Sequence, residues 1–399
     1  MKMGKWAWLL FAAAPLLAGC GNFWQVPGTT STGSGTCTTN CTTATSGNFY
    51  ILNNATLTTF QVAGYSIVSG KLSALTSTSA QTGQAYSMVI APNGKFLVVS
   101  TTSGVFAYPI TGGALGTGVA VSTDQAYAIQ VDSSNSWLIE AIPATNGVML
   151  NAIPINSSTG AYTNGTTHSA SFTYQYNAAT AAVEPNQMPI SSNDNYIFLA
   201  VGTGGTLVIP FNASSTASPF GSSATEIPVL NSGGAALSVA VDPDSRLFYI
   251  GETLANSAGT SGGLRAITYA SLSTSTLVQA AGSPIASGGL APNFILPVTT
   301  PDYVYVANGA GQSSAGNIAG FAVTASGTSY SLTAGSTVAA GVQPLGLAED
   351  SSNAFVFTVG SLGSPYFDAY TFDTTTTGTL DSQVTSTSSA GSIAIVAAP

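Results

Sequence analysis

The sequence predicts an all-β fold: a seven-bladed β-propeller of four-stranded blades, closed by the C-terminal strand pairing into the first blade. Three observations predict it. One short unit recurs along the chain, an incomplete unit stands at each end of the repeating region, and the composition is rich in strand formers but almost free of charge. A period of roughly 40–50 residues is the mark of a four-stranded blade that cannot bury its apolar faces alone.

The chain opens on Lys2 and Lys5, followed by an apolar stretch from Trp6 to Leu17. A basic start and an apolar core of this length fit a secretory signal, and the core is too short for a comfortable membrane span. Leu17-Ala18-Gly19-Cys20 resembles the bacterial lipobox. The resemblance implies that residues 1–19 are removed and that the Cys20 thiol takes up lipid. Gly21 is not the aspartate that favours inner-membrane retention. The expected product is exported and lipid-anchored in the cell envelope, in the outer membrane where there is one.

Residues 20–47 are rich in Thr, Ser and Gly with almost nothing to bury, which reads as a flexible tether. Cys37 and Cys41 lie within it as CTTNC. With Cys20 lipidated the remaining thiols are even in number, and an exported protein sits where disulfides persist, so a Cys37–Cys41 disulfide is the first reading. Free thiols and a two-cysteine metal site are the alternatives. No histidine or third free thiol lies nearby for the latter.

From residue 48 to 399 the repeats take over. Each unit is a short apolar strand, a polar turn and a strand opened by an aromatic or large aliphatic residue. It reads YSMVIAPNGKFLVVS from Tyr86, YAIQVDSSNSWLIEA from Tyr127 and QMPISSNDNYIFLAV from Gln187. It continues as LSVAVDPDSRLFYIG from Leu237, FILPVTTPDYVYVAN from Phe294 and LGLAEDSSNAFVFTV from Leu345. The residues opening the second strand are Phe96, Trp137, Tyr196, Leu247, Tyr303 and Phe355, at spacings of 41 to 59. The Asn-, Asp-, Ser- and Gly-bearing turns suit tight hairpins. Third strands follow, among them VFAYPI from Val105, TLVIPF from Thr206 and GLRAITY from Gly263.

Six full units leave two fragments. Phe49 to Leu52 matches a second strand with no first strand before it, and Ser392 to Val396 matches a first strand with nothing after it. Placing both in one blade covers edges that would otherwise stay unpaired. Seven blades result. The repeat, its G-x-L turns and the Y-V-Y-V-A-N of Tyr303 to Asn308 are similar to the lactonase-like seven-bladed propellers, the group around bacterial 6-phosphogluconolactonase and YVTN-repeat surface proteins.

Composition narrows the function. Charged residues make up 5% of the chain, against roughly 25% in an average soluble domain. After loss of the leader only Lys71, Lys95, Arg246 and Arg265 are cationic. Nucleic-acid binding needs clustered Lys and Arg, so no nucleic-acid partner is expected. With so few groups to titrate, stability is expected to vary little between about pH 3 and 8. Nothing calls for a cofactor or a metal, and a monomer is expected.

The resemblance implies, for members that are enzymes, His, Arg and Glu side chains at the channel mouth. This chain does not match that pattern residue by residue, since it has one histidine and two arginines. An enzymatic reading, a lactonase-like hydrolase or isomerase, would have to draw on His168, Glu184 and Arg265 and requires that they converge. Gly259-Thr260-Ser261-Gly262-Gly263 matches G-x-S-x-G but lacks the strand-to-helix elbow and a nearby histidine. Val201 to Thr206 is glycine-rich, yet no helix follows to present an N-terminus to phosphate. Glu349-Asp350 at the last blade's turn reads as a solvated pair.

The leading expectation is a non-catalytic, membrane-anchored binding or scaffold module. Loops joining second to third strands, and one blade to the next, gather at one channel mouth. There Glu252, Arg265, Asn308, Gln312 and Tyr366 are the candidate contacts for a glycan or a protein partner.

Overall fold

The structure, a computed structural model, describes residues 45–399 apart from 76, 175–186, 216, 257–258, 275, 311–313, 363–364, 374 and 387–390. Seven antiparallel sheets form seven blades. From the inside outward, blade 1 is Ser392–Ala397, Phe49–Thr56, Thr59–Val68 and Lys71–Ala74. Blade 2 is Ala85–Ile90, Phe96–Thr101 and Gly104–Thr111, with Ala114–Leu115 and Val119–Ser122 both pairing on the third strand. Blade 3 is Ala128–Val131, Trp137–Ala144, Gly147–Pro154 and His168–Thr173.

Blade 4 carries Tyr196–Ala200, Thr206–Pro210 and Thr225–Ile227. Its inner position is held by Gln187 to Ile190, through an Ile190–Ile197 bridge and bonds from Phe198 N–H to Pro189 and Ala200 N–H to Gln187. Blade 5 is Ala236–Val241, Leu247–Glu252, Gly263–Thr268 and Ile285–Ala286. Blade 6 is Ala291–Thr299, Asp302–Gly309, Ala315–Ser326 and Ser329–Val342, and blade 7 is Pro344–Glu349, Phe355–Gly360, Phe367–Phe372 and Leu380–Ser386. One short 3-10 turn, Tyr269–Ser273, is the helical element among the described residues.

The ring closes as the two sequence fragments predict. Tyr50, Ile51 and Leu52 pair with Val396, Ile395 and Ala394. Ala398 N–H then donates to the Asn48 carbonyl at 2.8 Å. The first and last strands of the propeller thus share one blade, and the edge of Phe49–Thr56 that faces inward is covered by Ser392–Ala397.

Seven hydrophobic clusters fill the seven seams between neighbouring blades. A blade strand has both faces buried, so its residues alternate between seams: Leu138 packs toward blade 2 and Ile139 toward blade 4. That is why the second strands read as unbroken apolar runs rather than as alternating ones. At the closing seam Phe49 stacks on Phe357 and Phe367 with centroids 4.3 and 5.3 Å apart. Each fully buried side chain of this size contributes about 1.5–3 kcal/mol, so the closing strand is held by packing as well as by its ladder.

The hairpins between first and second strands are set by their own polar residues. Asp132 accepts from Ser136 N–H and Trp137 N–H at 2.7 and 2.6 Å, and from the Ser134 hydroxyl. Ser191 accepts from Asn195 and Tyr196 N–H in the same place in blade 4. Asp350 does so in blade 7, and it is buried. Glu349-Asp350 is therefore not a solvated pair, because the second carboxylate is consumed in ordering the turn. In blade 4 the glycine-rich Val201 to Thr206 forms a hairpin. Gly205 sits at φ 83°, and a Cβ there would meet the Ile227 carbonyl oxygen at 2.3 Å.

The chain enters on the face bearing these hairpins. Ser46 N–H donates to the Ile67 carbonyl and Gly47 N–H to Asp350 Oδ1 at 2.7 Å. The opposite face carries the second-to-third-strand turns and the connections between blades. The anchor and disulfide residues Cys20, Cys37 and Cys41 lie outside the described residues.

Candidate binding site at the channel mouth

Inner strands of all seven blades surround a central channel of about 910 Å3. The inner strands begin on the face away from the chain's entry, and that end of the channel is taken as its mouth. Register breaks there in a regular way. A bulge places one extra residue at the start of the inner strand in blades 1, 2, 5, 6 and 7: Ile393, Tyr86, Leu237, Asn293 and Leu345. In blade 3 Tyr127 holds the equivalent place, since its N–H and the pairing of Ala128 both go to Ala141. A bulge opposes two residues to one and re-aims a side chain. All six of these residues line the channel.

Two of them form an aromatic surface. Tyr86 and Tyr127 stack with ring centroids 4.3 Å apart and planes 18° from parallel, and both are partly exposed. Around them stand amides. Gln84, Gln130, Gln187 and Asn293 line the same space. Several of these amides also tie blades together. Asn54 exchanges two hydrogen bonds with the Ala85 backbone at 3.0 and 2.9 Å, Gln187 Oε1 accepts from Val239 N–H, and Asn293 Nδ2 donates to the Pro344 carbonyl. The mouth is thereby held in shape by bonds across three seams.

Among the described residues no Asp, Glu, Lys, Arg or His lines the channel. Amides and phenols can donate to and accept from hydroxyls, and a ring face can cover the apolar side of a sugar. The arrangement suits a neutral, hydroxyl-bearing ligand better than an anionic one, which would call for cations.

The residues expected to form the site are placed as follows. Glu252 and Arg265 are 2% and 7% exposed and form an ion pair, Arg265 Nη1 to Glu252 Oε1, at 2.7 Å. Arg265 Nη1 also donates to the Pro228 carbonyl, and Glu252 Oε2 accepts from Leu230 N–H. Pro228 and Leu230 follow the outer strand of blade 4, so the pair seals the seam between blades 4 and 5 rather than facing the mouth. Asn308 is buried at the seam between blades 5 and 6, bonded to Ser287 and Asn317. These three differ from the expectation because they are buried and bond between blades, although Arg265 Nε is buried without a hydrogen-bond partner. Tyr366 is partly exposed on the turn between the second and third strands of blade 7. Gln312 and Glu184 lie outside the described residues.

His168 opens the outer strand of blade 3, paired with Ala152 and edge-on to Trp137 at 5.6 Å. Arg265 is on the third strand of blade 5. His168 and Arg265 are therefore separated by a whole blade and do not converge. Tyr86 and Tyr127, in contrast, open the first two repeats in sequence but are not among the predicted contacts. Their signal was an aromatic at one repeat position in adjacent blades, where the other units have Gln, Leu, Asn or Ile.

Solved structures with this fold include a protein proposed to be a 6-phosphogluconolactonase from Bacteroides uniformis, with TM-score 0.67 and 15% identity over 88% of this chain and 98% of that one. The seven blades are also those of its counterpart from Bacteroides fragilis, with TM-score 0.66 and 11% identity over 89% and 98%. The chain shares their fold. A periplasmic gluconolactonase of Pseudomonas aeruginosa aligns with TM-score 0.58 and 14% identity over 89% of this chain and all of that one. No protein-family model and no curated protein matches the sequence.

Proposed function

We propose that this lactonase-like propeller is a non-catalytic binding module of the cell envelope, taking a neutral, hydroxyl-rich ligand such as a glycan at its channel mouth. The observation that carries this reading is the uncharged lining around the Tyr86–Tyr127 stack. The amides beside it supply directional bonds, and the stack supplies a flat apolar surface.

Lipid on Cys20 would fasten the chain to the membrane, and the Thr/Ser/Gly segment would hold the body off it. Because residues 46 and 47 meet the propeller on the hairpin face, a tether arriving there leaves the mouth turned away from the membrane, toward soluble or cell-wall ligands. Labelling with a radioactive fatty acid tests the anchor: wild type takes up label and Cys20→Ala does not.

The names of the structural neighbours favour a second reading, a lactonase-like hydrolase. That reading needs an acid or base at the mouth. Titrating the full chain against a panel of neutral oligosaccharides, with lactone hydrolysis followed in parallel, separates the two. Saturable binding without turnover supports the module; turnover of a sugar lactone overturns it.

A further inference from the structure

The channel changes character along its length. Inner strands run from the mouth toward the hairpin face, so residues early in each strand lie at the mouth and later ones lie deep. Near the mouth stand Asn54, Gln84, Tyr86, Tyr127, Gln187 and Asn293. Deeper, the lining is Val89, Pro189, Val241, Ile295 and Val396, from blades 2, 4, 5, 6 and 1. Gln130 of blade 3 is the polar side chain at that depth among the described residues, and its Oε1 accepts from Val131 N–H at 3.2 Å. Val89, Pro189, Val241 and Val396 are all partly exposed.

The rim is apolar in a second, separate way. Leu57 and Leu362 are exposed on the second-to-third-strand turns of blades 1 and 7, and Leu230 and Leu290 on the connections into blades 5 and 6. All four lie on the mouth face and follow one another round its rim, on the side away from the Tyr86–Tyr127 stack of blades 2 and 3. Water against an apolar wall has few polar partners, and an apolar group that displaces it binds with a gain. A wholly hydrophilic ligand would leave the deep channel and the leucines in water. At about 910 Å3 the channel has room for a hydrocarbon chain beside the water that solvates the unpaired peptide edges of the inner strands.

We infer that the ligand is amphiphilic: the channel takes a single alkyl or acyl chain along its deep apolar section, below an uncharged, hydroxyl-bearing head held at the mouth. The inference rests on the proposed reading of the mouth and extends it inward. The amides and phenols meet the head, and the valines, Pro189 and Ile295 meet the chain. The rim leucines offer the chain an apolar surface on its way in. A fatty acid is a poorer fit, because its carboxylate would find no cation in the lining.

The test is calorimetric titration of the full chain with methyl, hexyl and octyl β-glucoside and with 1-octanol, all below the concentrations at which micelles form. Affinity is expected to rise about two- to fourfold for each methylene between hexyl and octyl. Val241→Phe, which fills the deep section from blade 5, removes that gain and leaves the methyl glucoside response unchanged. Val89→Phe, from blade 2, gives the same result should Val241→Phe fail to fold. Octyl glucoside that fails to bind, or binds no tighter than methyl glucoside, overturns the inference; the reading of the mouth then stands or falls on methyl glucoside alone. A chain-length gain that survives both variants lies outside the channel and also overturns it. Octanol binding as tightly as octyl glucoside would remove the hydroxylated head, and with it the amphiphile.

Discussion

Tyr86 and Tyr127 meet ring to ring across the boundary between blades 2 and 3, 4.3 Å between centroids. Both are brought there by an irregularity at the start of an inner strand. In the proposed reading, a stack of this kind at the rim of an uncharged channel would recognise a ligand by shape and hydrogen bonding. Binding should therefore be insensitive to ionic strength: the dissociation constant for a neutral oligosaccharide changes by less than about twofold between 50 and 500 mM salt. A steep salt dependence would point to a charged ligand and a different surface.

The ion pair of Glu252 and Arg265 is a structural element in this account. Arg265→Ala would leave a buried carboxylate without its partner and cost about 3–5 kcal/mol in denaturant unfolding. Replacing both, as Glu252→Leu with Arg265→Met, should recover most of that loss. Ligand binding should be unchanged in the double variant. A binding defect with stability intact would return the pair to the list of ligand contacts.

Closure by the C-terminal strand makes a second stability prediction. Ile395 is buried in the seam between blades 7 and 1 while its strand pairs with Phe49–Thr56. Ile395→Ala is expected to cost about 2–5 kcal/mol. Removing residues 392–399 strips the inner strand from blade 1 and should abolish the cooperative thermal transition. A truncated chain that melts like wild type would contradict the closure.

Stability should depend on pH despite the low charge. Burial pushes the Asp368 carboxyl up to about 7, with bonds from Tyr370 and Gly341 opposing it. Burial, and then Asp350, push Glu349 up to about 7 as well. Both groups hold protons in the folded state that the unfolded chain releases. Their contribution is complete below the unfolded values near 4 and is lost as pH rises through about 7. The thermal midpoint should be higher at pH 5 than at pH 8, and Asp368→Asn should flatten the slope. A midpoint constant over this range, as the bare count of charges suggests, would contradict these shifts.

The repeats were legible because each blade begins its second strand with a large apolar residue, from Phe96 to Phe355, and because Ser392 to Val396 had no partner except the gap before Phe49. The site was not legible in the same way. Whether Tyr86 faces the channel depends on a bulge, which is a property of how Ala85–Ile90 pairs with Phe96–Thr101 and not of either strand alone. Glu252 and Asn308 looked like loop residues, but the second strands of blades 5 and 6 run on far enough to carry them into the seams. Arg265 followed Glu252 there because the two are within one sheet and opposite in charge.

The central claim is tested most directly by titrating the full chain and its Tyr86→Ala/Tyr127→Ala variant with a neutral oligosaccharide that wild type binds, reading intrinsic fluorescence. Loss of the stack should weaken binding by roughly tenfold or more while leaving the thermal midpoint within a few degrees of wild type. Undiminished affinity in the variant, or a wild-type chain that binds no neutral saccharide yet hydrolyses a sugar lactone, would contradict the account.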